Sequence, residues 1–346
     1  MKIVVTGSQG YLGSVIGPAL QRRGHAVLGL DAGLFADQLF RPPPVIPTRR
    51  QDIRDVPAEA FRGAAAVVHL AALSNDPLGS LDDRLTREIN LDATVRVAEL
   101  AKSAGARRFV FASSCIMYGG AAGATVDESA ELDPRTEYAC SKVAAERELA
   151  ALADENFSPV FLRNGTVYGA SPRLRLDTVF NDFLATAVLT GTVVVRGDGQ
   201  EWRPVVDIRD VAQAFVAAVE APTASVHNVA FNTGADHLNR KIADLASTAA
   251  ALVDGASVTL LSRPGADKRS YRADFGRFRR VFPQVRFRSI EEGGRDMVRA
   301  LRDTLREHGA VDRERFVRLA HLQRLMDKGR VDGSLRWAAS VTGPGA

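Results

Sequence analysis

Short apolar runs alternate with stretches of helical periodicity through the first half of the chain. Ile3-Val4-Val5 is a β-branched run ended by Thr6-Gly7, and a helical stretch follows to about Arg23. Gly24-His25 closes that helix, and residues 26–30 form a second apolar run ending at Asp31. The pattern recurs: runs at 65–70, 108–112 and 160–163 are separated by helical stretches at 85–104 and 138–152. Runs that are apolar throughout, joined by helices, belong to a parallel sheet covered on both faces. The prediction is a doubly wound α/β fold, whose ligands sit beyond the carboxyl ends of the strands.

After about Gly169 the pattern shortens. Segments at 175–190, 193–196, 203–220, 226–231 and 239–253 mix short strands and helices, which predicts a smaller substrate lobe over 170–310. The large domain spans 1–169, and 203–220 returns to pack on it, so the lobe is partly interleaved. Residues 311–346 read as a helical C-terminal tail, with Phe316, Leu319, Ala320, Leu322 and Leu325 at helical spacing. Its expected role is to cap apolar surface. Pro42-Pro43-Pro44 is a stiff loop.

Composition narrows the function classes. No stretch of about twenty residues lacks both charge and proline, so no membrane-spanning helix is expected. The first residues enter a strand and a turn at once, unlike a signal peptide. Two cysteines, Cys115 and Cys140, cannot build a disulfide framework, which fits a cytoplasmic protein. The six histidines show no metal-ligand spacing. The net charge of +4 is mild, and no nucleic-acid motif accompanies it.

Candidate chemistry begins at the first turn. Gly7-x-x-Gly10-x-x-Gly13 lies between the first strand and the first helix. Gly7 permits the sharp turn, Gly10 lets backbone approach a pyrophosphate, and Gly13 lets helix and sheet pack closely. The helix N-terminus offers unpaired N–H groups and a positive dipole end. Gln9, Tyr11 and Leu12, between those glycines, are cofactor candidates with them. Asp31 follows 18 residues after Gly13. A carboxylate there accepts from the ribose hydroxyls and repels a 2′-phosphate, so the expected cofactor is NAD and not NADP. Asp52 and Ile53 are candidates for the adenine, by hydrogen bond and by packing respectively.

Tyr138 and Lys142 stand one helical turn apart and share a face. An ammonium beside a phenol favours the phenolate. Bringing a tyrosine pKa from about 10 to near 7 needs roughly 4 kcal/mol. The product is a general base at neutral pH. Residues 111–119 leave the carboxyl end of a strand, and a hydroxyl there can bridge substrate and phenolate.

The motifs T-G-x-x-G-x-x-G, H-L-A-A, S-S-x-x-x-Y-G, Y-x-x-x-K and L-R-x-x-x-x-Y-G occur in this order. Together they resemble the extended short-chain dehydrogenase/reductases, and within these the NAD-dependent epimerase/dehydratase branch. The resemblance covers about residues 1–310 and implies a Rossmann domain. It makes Tyr138 the base, Lys142 its partner and a holder of nicotinamide ribose, and Ser114 the catalytic hydroxyl, with Ser113 the alternative one position back. His69, Leu70, Ala71 and Ala72 would line the cofactor, and Asn90 would support the site. The implied substrate is a nucleotide-diphosphate sugar. Arg203, Arg269 or Arg263, and Asn181 would hold its diphosphate, Arg173 and Arg175 would face the nucleotide, and Ser74, Ser114, Cys115 and Thr166 would line the sugar side. Asp207 stands where the family has histidine, and Thr166 where it has asparagine.

Family dehydratases carry two acids after the catalytic hydroxyl; here those positions are Cys115 and Ile116. The expected reaction is therefore NAD-dependent epimerisation, at C4 of a nucleotide-linked hexose or heptose. The alternative is a dehydrogenase or ketoreductase with net redox; a 4,6-dehydratase and a non-catalytic dinucleotide-binding protein rank below. Natural-product biosynthesis is one reasonable setting. The helices at 85–104 and 138–152 resemble the family's dimer helices, so a homodimer is expected.

Overall fold

The computed structural model describes residues 1–74, 81–120, 123–261 and 269–338. The chain runs β1 (Lys2–Thr6), α1 (Gly13–Arg22), β2 (Ala26–Asp31), β3 (Thr48–Arg50) and β4 (Ala66–His69). It continues through α2 (Asp83–Arg87), α3 (Ala93–Ser103), β5 (Arg108–Ser114), β6 (Thr125–Val126), α4 (Glu137–Ala151), β7 (Ser158–Asn164) and β8 (Thr166–Tyr168). Next come α5 (Val179–Thr190), β9 (Thr192–Arg196), β10 (Trp202–Asp207), α6 (Ile208–Glu220), α7 (Thr223–Val226) and β11 (Val229–Thr233). The remainder is β12 (Asn239–Lys241), α8 (Ile242–Ala251), β13 (Ser257–Leu261), β14 (Arg272–Ala273), α9 (Gly276–Val281), α10 (Ile290–His308) and α11 (Arg318–Asp327).

Seven strands form one parallel sheet in the order β11-β7-β5-β4-β1-β2-β3. Alternate residues of each strand feed opposite layers, as the period of two requires. Ile3 and Val5 meet Ile16 and Leu20 of α1 and Val211 and Phe215 of α6. Val4 meets Val97 of α3 and Ala145 of α4 on the other face. The doubly wound reading of the sequence describes this sheet.

Other expectations need correction. The strand β11 was expected in the smaller lobe but is the seventh strand of the large sheet, beside β7. Phe278 and Phe282, from α9 and the residue after it, also pack on that sheet against Phe231. A five-residue strand far along the chain carries no local sign of the sheet it joins. The lobe itself has a separate core, in which α5, α8 and α10 meet β9 through Phe183, Leu245, Met297 and Val195. The expected helix at 85–104 is broken by a π turn at Glu88–Asp92, where the extra residue turns Asn90 inward. Among its described residues the tail has a 3₁₀ turn at Glu314–Phe316 and an α-helix at Arg318–Asp327; a bridge between Val331 and Trp337 then folds it back on the protein.

Candidate active site

The carboxyl ends of β1, β2, β4, β5 and β7 open into one cleft of about 1150 Å³. Gly7, Gly10, Tyr11, Leu12 and Gly13 form one wall of it. Gly7 sits at φ +68°, and a Cβ there would lie 2.7 Å from the Ala71 nitrogen. A Cβ on Gly13 would lie 2.1 Å from the Gly7 oxygen, so this turn closes only without one. Asp31 reaches across from β2: its Oδ2 accepts from the Gln9 N–H at 2.8 Å and its Oδ1 from the Gly33 N–H at 2.7 Å. Burial raises the pKa of this carboxyl, and the two backbone bonds oppose the rise. A bare backbone turn, a helix N-terminus and an acidic acceptor on one wall fit a dinucleotide with free ribose hydroxyls. Leu70, Ala71 and Ala72 continue that wall. His69 does not: it is buried between Thr6 and Thr94, 2.9 Å from each, and burial pulls its pKa down to about 3.

At the other end of the same cleft lie Ser114, Tyr138 and Lys142. Thr136 caps α4 by accepting from the Ala139 N–H, which leaves Tyr138 in the first turn, where the helix dipole favours an anion. Lys142 is buried; its Nζ lies 5.8 Å from the Tyr138 ring centre and donates to the Ala112 carbonyl at 2.8 Å. Desolvation lowers its pKa to about 7, against the pull of Glu146. Ser113 and Ser114 separate cleanly. The Ser113 hydroxyl donates to Glu146 at 2.5 Å, within a buried pair in which Arg163 and Glu146 approach to 2.6 Å. Ser114 ends β5, and its Oγ accepts from the Ile116 N–H at 3.3 Å beside the cleft.

Several candidates stand elsewhere. Cys115 is fully buried, its Sγ 3.1 Å from the Arg163 carbonyl, and Ile116 takes the place on the cleft. The strand ends at Ser114 and a 3₁₀ turn follows at Cys115–Tyr118, which leaves 114 and 116 on the cleft and 115 inside. Asn181 is also fully buried: its amide joins the Gly169 N–H, the Tyr11 hydroxyl and the Arg175 carbonyl, at 2.8, 3.1 and 2.9 Å. It braces the cleft wall. Asn90 holds both the N–H and the carbonyl of Leu73 and donates to Ser141, so it positions the loop before the cleft from behind. Gln9 contributes its N–H to Asp31. Asp52 and Ile53 line the cleft, with the Asp52 carboxylate on Arg54 at 2.6 Å. Against the penalty of burial, that pair lowers the Asp52 pKa.

On the lobe side, Ser74, Thr166, Arg203 and Arg269 line the cleft; Arg203 donates to the Trp202 and Arg269 carbonyls. Arg263 lies outside the described residues. Asp207 turns away to cap α6 and pair with Arg209. Arg173 gives its donors to the Phe35 and Ala36 carbonyls, 3.1 and 3.0 Å away. Arg175 does face the cleft, held by Asp177 and Ser74, and carries a charge felt by Tyr138. Val317, Arg318 and Leu335 of the tail also line it. Sequence reading gave them no such place, since periodicity marks a buried face without saying against what.

Among the described residues no cluster of acidic, histidine or cysteine side chains could hold a metal, and no helix is long and apolar enough to cross a membrane.

Residues 3–234 match the family model described as the NAD dependent epimerase/dehydratase family. The UDP-glucose 4-epimerase of Mycolicibacterium smegmatis is 30% identical over 233 residues, covering 63% of this chain and 73% of that protein. The structure of MoeE5 in complex with UDP-glucuronic acid and NAD matches at a TM-score of 0.75 with 29% identity, over 88% of this chain and 100% of that one. The UDP-glucose 4-epimerase of Thermus thermophilus, in complex with NAD, matches at a TM-score of 0.74 with 25% identity, over 87% and 99%. Glycine turn, the carboxylate beside it, tyrosine–lysine helix and these matches agree, and the chain belongs to the NAD-dependent epimerase/dehydratase family of extended short-chain dehydrogenase/reductases.

Proposed function

We propose that this protein is a nucleotide-sugar epimerase that inverts C4 of a nucleotide-diphosphate hexose or heptose. The observation that carries the reading is the end of the cleft at Ser114, Ile116, Tyr138 and Lys142, where the hydroxyl is followed by a buried thiol and an isoleucine and not by a pair of acids. Elimination of water from a sugar needs an acid for the leaving hydroxyl and a base for a carbon-bound proton. Ile116 does neither, and the thiol of Cys115 is buried, with its pKa raised by desolvation.

Bound NAD supplies hydride acceptance and return at the carbinol carbon, so no net oxidation results. Tyr138 accepts the hydroxyl proton at its phenolic oxygen and later gives it back. Ser114 donates to the substrate oxygen and steadies it as its charge changes. Lys142 fixes the strand end through Ala112, and in its protonated form its charge supports the phenolate. Arg203 and Arg269, lining the lobe side, suit the diphosphate, because a guanidinium binds phosphate oxygens in pairs. The relatives named as UDP-glucose 4-epimerases support the substrate class. The chain is taken to work as a homodimer; a monomeric mass by light scattering overturns that part.

The test is incubation with a panel of nucleotide sugars, read by NMR without added cofactor. Interconversion of C4 epimers with no accumulation of NADH is expected. Stoichiometric NADH, or an unsaturated or deoxy-keto sugar, would sink the reading.

A further inference from the structure

Residues 313–338 return across the mouth of the cleft and dock on the ends of β2 and β3. The Trp337 Nε1 donates to the carbonyl of Ala32, next to Asp31, at 2.7 Å. Arg54, already paired with Asp52, donates to the Ser334 carbonyl at 2.9 Å. The Arg50 guanidinium lies 4.3 Å from the centre of the Trp337 ring. The tail therefore fastens to the segments that carry both candidates for the adenosine half of the dinucleotide, Asp31 and Asp52.

Leu335, at the tip, is buried at 1% exposure, lines the cleft, and is held at φ +58°. A residue bearing a Cβ is strained in the left-handed region and persists there only where its surroundings over-determine it. Here they do: the Leu335 N–H donates to the Asp332 carbonyl at 2.9 Å, and the Asp332 carboxylate accepts from the Ser334 and Arg336 N–H groups, both at 2.9 Å. Arg318 is 2% exposed, also lines the cleft, and stacks 4.2 Å from the Phe35 ring centre. It donates to Gln38 and to the Arg173 carbonyl, both neutral. Burial pulls its pKa down to about 9. Charges of both signs act on it, Arg175 and Arg173 against Asp177 and Asp31, and its place on the cleft lets an anion bound there add to the favourable ones.

We propose that the tail is part of the cofactor site: Leu335 completes the wall of the adenosine subsite begun by Asp52 and Ile53, and Arg318 supplies a buried positive charge to the adenylate half of NAD. The tail then slows the escape of NAD from the cleft. This rests on NAD being the cofactor, and it deepens the epimerase reading, because an enzyme without net redox never has to release it.

The test uses the full chain, loaded with NAD and passed through gel filtration, with exchange against a fluorescent etheno analogue of NAD followed in time. Wild type should retain NAD. Leu335→Gly suits the positive φ and removes only the wall; Arg318→Met removes the charge. Each should release NAD at least tenfold faster at an unchanged far-ultraviolet spectrum, with Arg318→Lys restoring part of the loss. Exchange at the wild-type rate in both folded variants overturns the inference. Should either variant fail to fold, amide hydrogen exchange of wild type decides: protection of residues 331–338 should rise at least tenfold on NAD binding, and equal protection with and without NAD overturns the proposal. Wild type that binds no NAD at all contradicts the cofactor itself, and NADH build-up with a retained cofactor contradicts the epimerase reading alone.

Discussion

At the end of the cleft proposed for catalysis, Tyr138 and Lys142 stand one helical turn apart, and Ser114 closes the strand beside them. At the end proposed for the adenosine, Trp337 meets Ala32 across 305 positions of sequence and Ser334 meets Arg54 across 280. The first end is assembled by local geometry: a helix period and a strand terminus place the groups, and spacing together with the family resemblance marks them. The second is assembled by chain closure, which no short window of residues encodes. Chemistry is concentrated where the construction is local, and the outer wall where it is remote. Variants at the two ends should therefore fail differently, the first in turnover and the second in cofactor retention.

The largest effect expected at the catalytic end is that of Tyr138→Phe. Removing the proton acceptor should lower kcat by about 10³-fold, within the span of general base catalysis. NAD content after gel filtration should be unchanged, since the glycine turn and Asp31 are untouched. Turnover within tenfold of wild type would remove Tyr138 from the base role.

Behind that end lies the buried ion pair of Glu146 and Arg163, which also receives the Ser113 hydroxyl. Breaking one side leaves an uncompensated buried charge. Glu146→Gln should cost about 3 kcal/mol in denaturant unfolding. The double variant Glu146→Gln, Arg163→Met should recover part of that loss. A single variant as stable as wild type would show that the pair is not what holds β5, β7 and α4 together.

Lys142 sharpens the comparison through pH. Its native pKa is about 7 against 10.5 as the ordinary value. Between those values the unfolded chain holds a proton that the native protein lacks, so stability should rise with pH across that window. The slope approaches about 1.4 kcal/mol per unit for a fully displaced titration. Melting the NAD-free protein at pH 7.5 and 8.5, with Lys142→Met as control, reads it; equal slopes in both proteins would refute the burial argument.

Much of the sheet and of the catalytic end was legible because each feature has its own period or spacing. Ile3-Val4-Val5 needs no partner to read as a strand, and Gly7, Gly10 and Gly13 state their turn through steric necessity. What escaped depended on remote partners. Nothing in Val229–Thr233 says that it pairs with β7, and nothing near Asn90 says that its amide is consumed by Leu73. The carried-over Asn181 failed similarly: an amide that suits a phosphate also suits Tyr11 and Gly169, and only the packing decides. Buried arginines were hardest, because Arg318 in a helical tail looks like any solvated cation until its surroundings are known.

The smallest effect concerns Cys115. Read as a substrate contact, its loss would raise KM; the structure instead gives it a fully buried site among Tyr118, Tyr271 and Phe275. Replacement by alanine removes one buried sulfur and its weak bond to the Arg163 carbonyl. A cost of about 1 kcal/mol in stability follows from the lost packing. KM should stay within twofold of wild type, because Ser114 and Ile116 keep the surface that the sugar meets. A tenfold rise in KM at unchanged stability would mean that this turn rearranges when substrate binds and brings the thiol out. The catalytic end would then share the remote, packing-dependent character of the adenosine wall, and the contrast between the two ends would be lost.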